Sequence, residues 1–242
     1  MTEAEWLAAC DPLILLDELF PMRGHDSTEA QPRASKRYLI ACARRAGDRL
    51  PWCARNLVDI AEHVLDTKAP DSLRRGAREL AEGLTHIRGE AADLNEIERG
   101  LRDLGFPLSP KTGPDPVFED AEEWGSIAHL TYFPFAGATP NYRFVRSSHH
   151  VLEYLHECFA NPFQDLRFSP EWLESDVVGV AKKIHESREF GMMPVLADAL
   201  EDAGCDHARI LHHCREGGPH LRGCWVLDSV LHPPKRLLPK RT

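Results

Sequence analysis

The 242-residue chain is 43% hydrophobic, enough to fill a substantial core without help from metal or disulfides. Its 29 basic and 38 acidic side chains leave a formal charge of -9, which opposes generic attraction to nucleic acid or anionic membrane and favours protein partners or small ligands. The seven cysteines are odd in number, scattered and never spaced as CxxC, the pattern of reduced thiols in a cytoplasmic protein.

The first residues hold five acidic side chains by Glu18 and no basic n-region, unlike a signal or transit peptide. No apolar run approaches the roughly 20 residues of a membrane span. Thr2 and Glu5 form a capping box that predicts a helix over 3–10, and Asp11-Pro12 starts a second one with Leu13, Leu16, Leu19 and Phe20 on its inner face. Residues 21–34 read as a loop. Tyr38, Leu39, Cys42 and Ala43 recur at helical spacing until Gly47, and Pro51 opens a helix striped by Leu57, Ile60, Ala61, Val64 and Leu65. Two Arg/Glu-rich amphipathic helices follow, over 71–85 and 90–104.

From 105 to 146 the prolines multiply and the helical period is lost, so this stretch reads as an irregular connector or short hairpin. Its aromatics either tuck onto the helices or form a partner surface, with Tyr132, Phe133, Phe135, Tyr142 and Phe144 as the contact candidates. Helical signals return over 147–159, near Trp172, over 177–190, from Pro194 to Gly204, from Asp206 to Gly217 and over 220–231. The tail, 233–242, carries Lys235, Arg236, Lys240 and Arg241 with no acid, a solvated end or the one route to nucleic acid.

MTEAEWL, SKRYLIACARR, PVLADALEDAGC, ILHHCR and GPHLRGCWVLD together resemble a large bacterial family of uncharacterised paralogues. Its members begin with a similar MTEAEWL segment and end in an ADALEEAGC, HCR, HVRGCWVVD module. The resemblance implies a helical bacterial protein and brings no activity with it. This chain departs from the pattern by keeping Cys42 alone where relatives carry a cysteine pair, and by its Pro- and aromatic-rich middle.

The densest chemistry lies between Cys205 and Asp228. Zinc takes four Cys or His ligands, usually as two short-spaced pairs, and the candidates are Cys205, Cys214, His220 and Cys224, with His207, His212 and His213 as substitutes. Only His220 and Cys224 have ligand-like spacing, one turn apart if both lie on a helix. On a helical wheel Cys214 falls between Ile210 and Leu211, which favours core packing for the thiols over metal. His213 and His220 read as braces of the helix junction, and Asp228 as a carboxylate needing Arg215 or Arg222. No nucleotide-binding, hydrolase or metalloprotease signature occurs.

The expectation is therefore an all-α protein of about ten helices. Its parts would be an N-terminal bundle (1–104), a connector (105–146), a C-terminal helical module (147–232) and the tail. The leading function is a non-enzymatic interaction or scaffold subunit without cofactor. The alternatives are a structural zinc protein using the C-terminal Cys and His residues, and an enzyme with a pocket between the two helical parts.

Overall fold

Proline and glycine punctuate this chain, and several helix ends fall on them, among them the starts of α-helices at Pro12, after Pro51 and after Pro70. The computed structural model describes residues 1–19, 33–87, 91–116, 121–136, 151–164, 166, 168–216 and 218–233, among which there are twelve α-helices and no strand. The all-α expectation holds. Two compact units divide the chain, Glu3–Leu152 and Glu153–Thr242.

In the first unit, α1 (Glu3–Ala8) and α2 (Pro12–Leu19) follow the early start signals, the Asp11 carboxylate accepting from the Leu13 amide at 2.9 Å. The inner face of α2 is set by Leu15 and Leu16, with Leu13 and Leu19 only half-buried; Phe20 lies outside the described residues. Helix α3 (Arg33–Ala46) ends at Gly47, whose φ of 56° suits a residue without a β-carbon. It is buried along Tyr38–Ala43 and packs against α4 (Trp52–Asp66). Arg37, fully buried, pairs with Asp66. Helix α5 (Asp71–His86) packs against α6 (Ala91–Asp103) so closely that a β-carbon on Gly100 would lie 2.5 Å from Leu80 Cδ2.

The connector expected over 105–146 needs correcting, because it contains a helix. Residues 121–132 form α7 (Ala121–Tyr132), which packs against α3 and α5 and ends in a 3₁₀ turn at Phe133–Phe135. Trp124, Ile127, Ala128 and Thr131 are buried at helical spacing, with Ser126 and Leu130 buried beside them. Gly125 faces open space, so the helix runs through it.

Of the rest of that stretch, the described residues 105–116 are irregular and strapped to α4 by polar contacts. Trp52 Nε1 donates to the Ser109 carbonyl at 2.7 Å, and the Ser109 amide donates to Asn56 Oδ1 at 2.8 Å. Asp115 accepts from the Trp52 amide at 2.6 Å and so caps α4 from 63 residues away in sequence. Lys111 bridges Glu98 and Asp115 at 2.5 and 2.9 Å, and the Arg102 guanidinium lies 5.4 Å from the Trp52 ring centre.

The second unit holds α8 (Leu152–Cys158), α9 (Ser175–Ser187), α10 (Met193–Asp202), α11 (Ala208–Arg215) and α12 (Trp225–Leu231). Val177, Ile184, Leu196, Leu200, Ile210, Leu211, Cys214 and Leu227 belong to one apolar cluster. The last helix starts at Trp225 rather than at 220. His220 and Cys224 therefore do not share a helix face; a turn through Gly223, at φ 152°, precedes Cys224, the residue that opens α12.

Candidate metal centre

Four side chains of the second unit converge on one point: Glu157 on α8, His213 on α11, His220 in the turn before α12, and Cys224 at the α12 start. One ligand atom from each lies within 4.8 Å of all the others. His220 Nδ1 is 2.9 Å from Glu157 Oε1, His213 Nε2 is 3.5 Å from Glu157 Oε2, and the same Nε2 is 3.2 Å from Cys224 Sγ. A tetrahedron with bonds of 2.0 to 2.3 Å spaces its ligand atoms by roughly 3.3 to 3.8 Å. The three separations lie near that range, and the whole set needs shifts of up to about an ångström to close on a small cation.

Local structure explains each placement. His213 shares α11 with Ile210, Leu211 and Cys214, whose burial turns the adjacent face of the helix toward α8 and α12. Its ring meets His220 at 5.0 Å and Trp225 at 4.9 Å between centres. His220 is held from behind, with Nε2 donating to the Glu216 carbonyl at 3.1 Å. A backbone carbonyl on the far nitrogen is how ligating imidazoles are commonly fixed, leaving Nδ1 to face the centre.

The site is largely buried. The side chains of Glu157 and His220 are 5% and 6% exposed, His213 is 19% exposed, and Cys224 is fully buried. Burial works to raise the Glu157 carboxyl, but hydrogen bonds from His213 and His220 overcome it and hold the group at about 2. For His220 burial works downward, and the Glu157 carboxylate outweighs it to raise the imidazole. The Cys224 thiol is pushed well above its ordinary value by burial and by the charge of Glu157.

This arrangement is not a nucleophile relay. A cysteine–histidine–carboxylate triad uses both ring nitrogens of the histidine, one for the thiol and one for the acid. Here Cys224 Sγ and Glu157 Oε2 approach the same nitrogen of His213, and the thiol has no electropositive setting to ionise it.

Of the four metal candidates named from sequence, His220 and Cys224 are brought together. Cys205 and Cys214 stay in the apolar cluster, where burial pushes the Cys214 thiol up to about 12. His213, a substitute from sequence, is a full member, whereas His212 is solvated and pairs with Glu216 at 2.7 Å. Arg215 binds Asp198 and Glu201, and Asp228 is half-buried. Sequence reasoning missed Glu157, which meets His220 across 63 residues. Its only local sign was a glutamate beside Cys158 on an otherwise buried helical face.

Among the partner-surface candidates, Phe133 is buried, its ring 5.4 Å from that of His129, and Tyr132 and Phe135 are half-buried. Tyr142, Phe144 and the basic tail lie outside the described residues. No helix among the described residues is long and apolar enough to cross a membrane. No protein-family pattern, curated protein or solved structure matches the chain.

Proposed function

We propose that residues 153–242 form a structural metal module, with Glu157, His213, His220 and Cys224 as a closed set of four ligands for zinc. The observation that carries this reading is the convergence of four Lewis-basic atoms from three separate segments in a largely buried site. Proton bookkeeping supports it. With His220 Nε2 donating to a carbonyl, a neutral His220 would turn its Nδ1 lone pair toward the Glu157 carboxylate; a second proton or a cation relieves that opposition.

Charge selects the cation. A carboxylate and a thiolate sum to two negative charges, so a divalent ion leaves the buried site neutral. Two imidazoles, one oxygen and one sulfur suit zinc or cobalt(II) better than the all-oxygen cations magnesium and calcium, or the thiolate-seeking copper(I). With all four positions taken by protein there is no open one for water or substrate, which favours holding a fold over hydrolysis. The interaction reading has less to rest on, since Phe133 is spent in packing.

The test is metal analysis of protein purified without added metal or chelator, followed by exchange into cobalt(II). About one zinc per chain, and a thiolate-to-cobalt absorption band that Cys224→Ser removes, are expected. Metal-free protein that takes up neither ion overturns the proposal.

A further inference from the structure

Within the second unit α8 is held differently from its neighbours. The apolar cluster of the unit draws on α9, α10, α11, α12 and Phe168, and among the described residues none of Leu155, Cys158 or Phe159 belongs to it. Glu157 reaches α11 through His213 and the turn before α12 through His220. Leu155, Cys158 and Phe159 are buried outside that cluster, so α8 has apolar anchorage of its own, and the polar centre adds a link from it to α11 and to the turn before α12.

Resting on the metal reading above, we infer that metal occupancy governs how firmly α8 is seated: the cation clasps α8 to α11 and α12, and its loss loosens α8 while the α9–α12 core persists. Two observations make α8 the element that responds. It has only seven residues, far below the roughly 12 to 15 at which a helix holds itself in water, so its order depends on its tertiary contacts, of which the polar centre is one. The other three ligands lie within Ala208–Leu231, on or between helices anchored in the apolar cluster, and keep their places without Glu157. Without the cation the tie shrinks to imidazole hydrogen bonds on one carboxylate.

Amide hydrogen exchange on the full chain tests this, comparing chelator-treated protein with the same protein given one equivalent of zinc chloride. Zinc is expected to slow exchange over 152–158 by about tenfold or more, with less than about a twofold change across 175–187 and 193–202. Glu157→Gln is expected to abolish the zinc-dependent slowing. If that variant does not fold, Cys224→Ser serves, which keeps Glu157 and should require a higher zinc concentration for the same protection. One bound zinc by native mass spectrometry with unchanged exchange in α8, or equal slowing in every helix, overturns the clasp and leaves the metal reading standing. Slowing in α8 that survives Glu157→Gln also overturns the clasp. Absence of bound zinc overturns both.

Discussion

Glu98 in the first unit and Glu157 in the second are buried alike, at 6% and 4% exposure, yet their surroundings differ in kind. Glu98 is met by fixed cations, Lys111 at 2.5 Å and Arg102 at 3.4 Å, and its charge is cancelled by groups that have no lone pair to offer a metal. Glu157 is met by two imidazoles beside a thiol, each a ligand once it gives up a proton. Burial alone therefore does not mark a site. The marker is a buried carboxylate whose partners are themselves Lewis bases.

The largest effect separates the two glutamates directly. Glu157→Ala is expected to abolish zinc binding and cost about 3 to 5 kcal/mol in urea unfolding, the range for breaking a buried pair. Glu98→Ala is expected to leave zinc binding intact and cost about 1 kcal/mol, because Lys111 and Arg102 are partly exposed and regain water. Equal costs would break the contrast.

Zinc itself should come next. At a free concentration 100 times its dissociation constant it adds about 2.7 kcal/mol, read as a shift in thermal unfolding that chelation reverses. Glu98→Ala should retain the full shift, and Cys224→Ser should lose most of it.

The smallest effect sharpens the other side of the comparison. Burial works to raise the Asp115 carboxyl, but the Trp52 amide and Lys111 overcome it and hold it below its ordinary value, with Arg55 adding to the same direction. The stability from this cap is present at neutral pH and lost as pH falls through the lowered value. Asp115→Asn should cost about 1 kcal/mol at neutral pH and flatten the acid limb of the stability curve.

Helix starts and stops were largely legible because their causes are local: Pro12 and Pro51 open helices, and Gly47, Gly105 and Gly204 adopt positive φ at their ends. Helix α7 escaped because Gly125 and the flanking prolines mask a run whose burial is decided by α3 and α5. The pairing of His220 with Cys224 was legible for a mistaken reason, since a turn brings them together rather than a shared helix face. Glu157 was illegible because no local pattern links residues 63 apart.

The ring of Trp225, 4.9 Å from that of His213, gives the proposed centre an optical reading of its own. An indole at that range senses whatever the imidazole carries. Cobalt(II) entering the site would quench this tryptophan's emission, so filling and emptying could be timed in a stopped-flow fluorimeter without attaching a dye.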